Sequence, residues 1–291
     1  MTTSPARCTL LLVVFAIVTA GVVSDSPLST DALRSNASLT VTTKSHASFM
    51  EALSTYSAPA YDVKELRGGK INMISLQFAI TSGILLAFNS GYINGCCLKG
   101  TLLNTKQAVA AVTGAYTTSA LGLASGNTDQ FRTQLTVLAS YIGGSTIAGI
   151  LNPIPVPFQM SSSNGLAFLV ASALLWSSSS LAQKGSANIL VFCLAATANG
   201  IQNSVTSAHT SNLIRTAHFS GISSDIGTFL GQVLRGNRQN LHKLKIFLAL
   251  AVSFWSGGFL SFFVSDRLGA TCLVPSAVLY TTIGLGLILL G

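Results

Sequence analysis

The sequence GYIN at residues 91–94 recurs as GIQN at residues 200–203, 109 residues later, and each copy lies within an otherwise apolar stretch. Thr113-Gly114 and Ser220-Gly221 form a second pair, whose glycines are 107 residues apart. The glycine pairs at 143–144 and 257–258 form a third. These ordered matches predict an internal duplication. Because unpaired polar groups are costly in lipid, we expect the amides of each copy to face a cavity or another helix.

The composition indicates a protein that crosses a membrane several times. Of the 291 residues, 49% are hydrophobic and 8% are charged, and the mean hydropathy is +0.58. Charged residues make up about 25% of an ordinary soluble domain. The net charge of +8 comes from 16 Lys and Arg against 8 Asp and Glu. The basic residues lie mostly between apolar stretches and are not interleaved with aromatics, which favours loops flanking membrane spans over nucleic-acid binding.

The first 70 residues differ from the rest. Residues 1–23 combine Arg7, a short apolar core and a small-residue exit, the pattern of a secretory signal peptide. Residues 24–70 are rich in Ser and Thr and predict a disordered leader, with the second half of a bipartite organelle signal as the alternative. Both interpretations predict an integral protein in a membrane of the secretory pathway or of an organelle.

Eight apolar runs follow, which we divide into a first membrane repeat at 71–182 and a second at 183–291. A helix needs about 20 residues to cross the lipid core, so most runs are long enough. The runs cover residues 71–95, 107–124, 133–152, 164–182, 187–206, 218–234, 244–265 and 270–290.

The predicted fold class is all-α, a polytopic transmembrane bundle of two tandem repeats with six to eight membrane helices. The runs at 107–124 and 218–234 are short and polar, so each of them either crosses or is re-entrant. If all eight cross, the repeats are parallel; if the two short runs turn back, the second repeat is inverted. The distribution of Lys and Arg favours a cytoplasmic position for the residues before the first run. A cleaved signal peptide would place the same residues in the lumen, so the orientation stays open.

Asp225 is the only acidic residue well inside an apolar run, which makes it the sharpest functional indication. On a helix it would share a face with Gly221 and His218. A carboxylate there can take up a proton or hold a cation, and an imidazole can relay that proton. We therefore predict proton or ion coupling by Asp225 and His218. The alternative is an ion pair of Asp225 with Arg215 or Arg235.

The amides of the repeated motif suit a polar solute. Asn94, Gln202 and Asn203 offer donors and acceptors, and we predict a substrate pathway lined by these amides together with Tyr92, Thr113 and Ser220. Plain hydrogen bonding between helices is the alternative. For the glycines of the two motifs we predict helix-packing or hinge roles, namely for Gly91, Gly114, Gly200 and Gly221.

Signatures of catalysis and of cofactor binding are missing from the sequence. It contains no phosphate-binding glycine loop, no dinucleotide fingerprint, no zinc-type His-Glu-x-x-His and no Gly-x-Ser-x-Gly elbow. The cysteines at 8, 96, 97, 193 and 272 lack metal-ligand spacing and are expected to behave as buried small hydrophobes. We therefore predict no catalytic residues, no metal and no cofactor.

The region 73–290 resembles the YoaK-like family of multipass membrane proteins, a bacterial domain of unknown function described as permease-like. GYIN at 91–94 resembles the family's Gly-aromatic-x-Asp, Thr113-Gly114 its Thr-Gly-Asn, and GIQN at 200–203 its Gly-x-Gln-Asn. RTAHFSG at 215–221 with DIG at 225–227 resembles Arg-Thr-x-His-x-Thr-Gly followed by Thr-Asp-Leu-Gly. Asn94 and Ala115 depart from the family's Asp and Asn. The resemblance implies that Asp225 carries the remaining acidic function.

These features together predict a gradient-driven transporter or permease for a small solute of unknown identity, with the lipid bilayer as its surroundings. A non-transporting structural or assembly protein is the alternative, because amides also serve packing. A membrane-embedded lipid enzyme comes last, because His218 is the only second catalytic group near Asp225. The oligomeric state cannot be predicted from these patterns.

Overall fold

The computed structural model describes residues 72–185, 188–210, 212 and 214–290. The predicted signal peptide (1–23) and leader (24–70) lie outside the described residues and stay predictions. Within the described part the chain is helical, so the predicted all-α class is confirmed. Its helices are α1 (Leu76–Lys99), α2 (Thr113–Ala124), α3 (Thr128–Leu151), α4 (Ser162–Gln183), α5 (Leu190–His209), α6 (Phe219–Leu234), α7 (Leu241–Leu268) and α8 (Val274–Leu290).

Two small elements accompany the helices. A 3₁₀ turn, Gly269–Thr271, follows α7 directly. The two-residue strands β1 (Asn72–Met73) and β2 (Gln159–Met160) pair antiparallel, which ties the entry to α1 to the connection between α3 and α4.

Four helices of the described part are long and apolar enough to cross a membrane: α1, α3, α4 and α7 with its 3₁₀ extension. The helix α8 is apolar but has 17 residues, and α5 has 20 residues with several amides and hydroxyls. The structure is therefore that of a helical membrane protein with four candidate spans. The larger number of six to eight spans is not established by length and composition.

Local sequence explains where α1 begins and ends. The hydroxyl of Ser75 accepts a hydrogen bond from the Phe78 N–H at 3.1 Å, which caps the first turn. Lys99 lies in the last turn, where a cation interacts favourably with the helix dipole. Gly100 follows with φ +83°, a left-handed conformation that favours glycine and ends the helix. The chain therefore leaves α1 in a sharp turn.

The helices pack in pairs that are distant in the sequence. Contacts join α1 to α7, α3 to α5, and α4 to both α5 and α8, while α2 and α6 pack on α3 and α7. Later residues of α1 contact later residues of α7, from Gly91 on Phe254 to Lys99 on Asp266, so these two helices are parallel. Along α4 and α8 the contacts advance in opposite directions, from Gly165 on Gly284 to Ser172 on Ala277, so these helices are antiparallel.

The apolar side chains divide between a core and an outer surface. One buried cluster includes Phe168, Phe192 and Tyr280, and a second includes Ile84 and Leu250. Many large apolar side chains of the described residues point outward instead, among them Ile150, Leu234, Trp255, Phe262 and Leu289. A surface this apolar is suited to contact with lipid acyl chains.

Candidate functional site

Two glycines of the repeated motifs lie where helices cross at close range. A Cβ on Gly91 would overlap the carbonyl oxygen of Phe254, and a Cβ on Gly257 would overlap that of Phe88. We call this contact of α1 with α7 the first crossing. Because the clash would be with backbone rather than with a flexible side chain, only glycine allows the two helices to approach this closely.

The contact of α3 with α5, the second crossing, has the same construction. A Cβ on Gly200 would overlap the carbonyl oxygen of Tyr141, and a Cβ on Gly144 would overlap that of Thr197. The four glycines at the two crossings are thus packing positions. Gly114 differs, because a Cβ there would meet nothing within 4 Å, so it does not lie at a helix contact.

The amides of Asn94 and Asn203 hold loops of their own chain. The Oδ1 of Asn94 accepts hydrogen bonds from the N–H groups of Val109 at 2.9 Å and Ala110 at 3.0 Å. The Oδ1 of Asn203 accepts from the Ala217 N–H at 3.1 Å and the Thr216 hydroxyl at 3.3 Å. Each amide oxygen therefore fixes the segment just before α2 or α6, and the contact of these residues with a solute stays a prediction.

Gln202 is fully buried and partly bonded. Its Nε2 donates to the hydroxyls of Thr216 at 2.8 Å and Thr206 at 3.3 Å, whereas its Oε1 has no hydrogen-bond partner among the described residues. A buried acceptor without a partner costs about 1–3 kcal/mol. This oxygen is thus the part of Gln202 that is still available to a solute or to water.

The hydroxyl residues predicted for the pathway do not lie together. Tyr92 is buried, and its hydroxyl donates to the carbonyl oxygen of Cys272 at 2.7 Å. Thr113 and Ser220 are exposed residues of the first turns of α2 and α6. Tyr92 therefore serves to join α1 to the start of α8, and the structure does not group the three residues around one space.

His218 and Asp225 lie at the outside of the bundle. His218 precedes α6 rather than lying on it, and a Cβ on Gly221 would overlap its ring. Gly221 is thus a contact for this imidazole and not for a second helix. Asp225 is an exposed residue of α6. In the part of the chain that the structure describes, the recorded ion pair joins Lys99 to Asp266, so the alternative pairing of Asp225 with Arg215 or Arg235 is not present.

A buried polar group that the sequence analysis did not assemble lies at the middle of α1. It consists of Asn89 and Ser90 of α1, Asn199 of α5, and Ser276 and Tyr280 of α8, and we call it the central polar cluster. Each of these residues has less than 5% of its surface exposed. Asn89 lies about 20 Å from the start of α1, a helix about 36 Å long. The cluster is therefore well inside the span.

The hydrogen bonds within the central polar cluster do not satisfy all of its polar atoms. Ser90 donates to Asn199 Oδ1 at 3.1 Å, and Ser276 donates to Asn89 Oδ1 at 2.7 Å. The Nδ2 of Asn89 and the hydroxyl of Tyr280 have no partner at hydrogen-bond distance among the described residues, and the two side chains are neighbours that interact electrostatically. Buried polar atoms are nearly always paired, so atoms of this kind indicate a place where water or a ligand completes the bonding.

A weak signal for this cluster was present in the sequence. Asn89-Ser90 is a polar pair directly before Gly91, and Asn199 directly precedes Gly200 in the second copy. Ser276 and Tyr280 are separated by one helical turn in the last apolar run. No local pattern connects them with Asn89, because 187 residues of chain separate Ser276 from it.

Comparison with known proteins gives one match. Residues 82–286 match the model of a family described as a protein of unknown function, DUF1275. The match covers most of the described helices, from within α1 to within α8. Neither the curated proteins nor the solved structures contain a match.

Proposed function

The chain belongs to the DUF1275 family, whose function is not established, and we propose that it is a permease for a small polar solute that binds at the central polar cluster. The observation that carries this proposal is a pair of neighbouring buried atoms without a hydrogen-bond partner among the described residues, Asn89 Nδ2 in the middle of the candidate span α1 and Tyr280 Oη on the apolar helix α8. An amide N–H and a phenol can bond a neutral polar solute or an anion without a full protein charge. This is also the permease-like activity that the YoaK-like resemblance implies.

The proposal includes two tandem repeats that meet at this cluster. Ser90 and Asn199 occupy positions 109 residues apart, the offset of the GYIN and GIQN motifs, and they contact each other. Ser172 and Thr281 are also 109 residues apart and lie 2.7 Å from each other. Contact between equivalent positions is expected only near an axis that relates the repeats. Transporters commonly bind their solute at such an interface.

The direction of the helices supports inverted repeats. The helices α4 and α8 hold the same place in the two proposed repeats, and they are antiparallel. After Lys99 the segment 100–112 runs back along α1 before α2 begins. It reaches the level of Asn94, which is about 8 Å from the end of α1 along the helix axis. Because α2 packs on α3 after a three-residue turn, it leads back to the side that α1 reached. We therefore infer a six-span arrangement with α2 and α6 as re-entrant segments.

Energy coupling is the remaining part of the proposal. We keep Asp225 and His218 as the proton-handling residues, because His218 directly precedes α6, Asp225 lies in its second turn, and both are exposed, where water can reach them. Replacing an exposed Asp225 by Asn should change the free energy of unfolding by less than about 0.5 kcal/mol. In proteoliposomes with an imposed pH gradient, Asp225→Asn should lose gradient-dependent accumulation while keeping downhill flux. Accumulation at the wild-type level would remove Asp225 from the mechanism.

A solute screen tests the binding site. The purified protein is heated with a library of small polar solutes, since a ligand of the folded state raises the unfolding temperature. A stabilising solute should lose its effect in Tyr280→Phe, which removes a hydroxyl that has no partner at hydrogen-bond distance among the described residues. Tyr92→Phe is the matched control, because its hydroxyl bonds the Cys272 carbonyl instead. A solute that stabilises both variants equally would contradict a site at Tyr280.

The second candidate function is a structural or assembly role without transport. The observation in its favour is that Asn94 and Asn203 bond loops of their own chain. If the central polar cluster also served packing alone, Tyr280→Phe would leave downhill flux and every solute effect unchanged. The screen therefore separates the two functions.

A further inference from the structure

A cavity of about 690 Å³ opens beside the first crossing, between α1, α7 and the segment that leads to α2. We call it the α1–α7 groove. Its floor includes Gly91, Gly95 and Gly258 with the polar side chains of Asn94 and Ser261. Its walls are otherwise apolar and largely aromatic, formed by Leu98, Phe254, Trp255, Phe259 and Phe262. Lys99 and Lys106 also line it, and both belong to the end where α1 stops.

The groove is open to the outside of the helix bundle. Trp255 is 63% exposed and Phe262 is 54% exposed, although both belong to a helix long and apolar enough to span a membrane. From Gly91 to Lys99 the groove follows about 12 Å of α1. Its long axis is therefore parallel to the spans, and its apolar walls lie where acyl chains run.

The charged end of the groove carries an uncompensated cation. The ammonium of Lys99 is already engaged, since it contacts Asp266 and the Phe262 carbonyl and lies 4.0 Å from the centre of the Phe262 ring. Lys106 is exposed and has no ion pair within the described residues. Lys106 lies beside Gly100, which directly follows the last residue of α1. The charge of Lys106 is therefore at the end of the span, where the lipid headgroups are expected.

We propose that the α1–α7 groove is a binding site for one anionic phospholipid. The headgroup phosphate bonds Lys106, and an acyl chain lies along the glycines and aromatic side chains. An elongated groove with one cationic end and apolar walls fits an amphiphile, whereas a free phosphate would leave the walls unused. The cavity at the second crossing is about 220 Å³ and has no Lys or Arg in its lining, so the proposal concerns the first crossing alone.

Fluorescence quenching tests the proposal because the chain has two tryptophans, Trp176 and Trp255. In the full chain carrying Trp176→Phe, Trp255 is the only reporter, and it lines the groove. Brominated phosphatidylglycerol should quench it at about fivefold lower mole fraction than brominated phosphatidylcholine, the effect expected of one lysine at the membrane surface. The reciprocal variant, Trp255→Phe, leaves Trp176 on α4 and should show no headgroup preference.

Two further variants, each with a matched control, show whether Lys106 and the groove cause the preference for phosphatidylglycerol. Lys106→Gln should abolish it, while Lys184→Gln, which removes a charge from another loop, should preserve it. Gly258→Leu should fill the groove and reduce quenching by both lipids, with Gly149→Leu on α3 as its control. A Cβ on Gly258 would be in ordinary contact with the Gly91 carbonyl oxygen at 3.7 Å, and one on Gly149 would meet nothing within 4 Å. If Gly258→Leu fails to fold, Lys106→Gln alone decides. Equal quenching by the two lipids, a preference that survives Lys106→Gln, or displacement of the lipid by free glycerol phosphate would each overturn the proposal.

Discussion

The first and second crossings use the same backbone construction and different side chains. In both, two glycines rest on carbonyl oxygens of the facing helix, and an asparagine three residues after Gly91 or Gly200 holds the following loop. The first crossing ends in Lys99, Lys106 and aromatic residues around a cavity of about 690 Å³. The second is lined by small residues, prolines and two asparagines around about 220 Å³. The glycines and the loop-holding asparagines are alike in the two crossings because close helix packing and the following loop require them. The side chains that line the two cavities differ, and these are the ones that can differ in function.

The glycines should give the largest effect on stability. Gly91→Ala at the first crossing and Gly200→Ala at the second should each destabilise the protein by about 2–3 kcal/mol, because a Cβ would force the helices apart. Unfolding by denaturant in detergent micelles measures both. Gly114→Ala is the control and should be neutral, since its Cβ would meet nothing. A neutral Gly91→Ala beside a harmful Gly200→Ala would show that the crossings are not built alike.

The loop-holding asparagines should come next and should separate the crossings. Asn94→Leu would strand two buried N–H groups and cost about 2 kcal/mol or more. Asn203→Leu would strand one N–H, because the other donor is the hydroxyl of Thr216, which can turn to another acceptor. The first variant should therefore be the less stable one and should lose hydrogen-exchange protection at Val109 and Ala110.

Asn94→Asp supplies the control for this prediction. A carboxylate still offers acceptors to both N–H groups, so stability and exchange protection should stay near the wild type. This is also the residue that the YoaK-like pattern has at the position. If Asn94→Asp and Asn94→Leu lost the same stability and exchange protection, the amide of Asn94 would act through its N–H₂ group and not through its oxygen.

The smallest effect should come from the ion pair that only the first crossing has. Lys99→Met removes the contacts with Asp266 and with the Phe262 carbonyl, and should cost about 1 kcal/mol or less because Asp266 is largely exposed. The loss should shrink as salt is added, since salt screens such pairs. Ala208→Met, at the residue before the last of α5, is the matched change at the second crossing. A loss that does not vary with salt would point to packing rather than charge.

The sequence predicted the helices well and their connections poorly. The apolar runs at 133–152, 164–182 and 244–265 fall within or close to α3, α4 and α7. The run at 107–124 was too long, because residues 107–112 form a loop whose N–H groups are held by Asn94. Hydropathy does not distinguish an apolar loop bonded to a side chain from the start of a helix.

The candidate site could be predicted only in part. The paired motifs located the right turn of α1 and α5, since Asn89, Ser90 and Asn199 directly precede the two glycines. The sequence did not predict that Asn94 and Asn203 bond loops of their own chain, because backbone donors that fold back onto a side chain leave no trace in composition. Ser276 and Tyr280 reach the cluster only through the packing of α8, which spacing along the chain does not reveal.

Solute flux through reconstituted protein tests the central claim most directly. Proteoliposomes containing the wild type, Tyr280→Phe or Tyr92→Phe are mixed with the stabilising solute, and downhill uptake is followed by stopped-flow light scattering. Flux with the wild type should exceed that of protein-free liposomes, fall at least tenfold in Tyr280→Phe, and persist in correctly folded Tyr92→Phe. Equal flux in wild type and Tyr280→Phe, or flux no greater than in protein-free liposomes, would contradict a solute site at the central polar cluster.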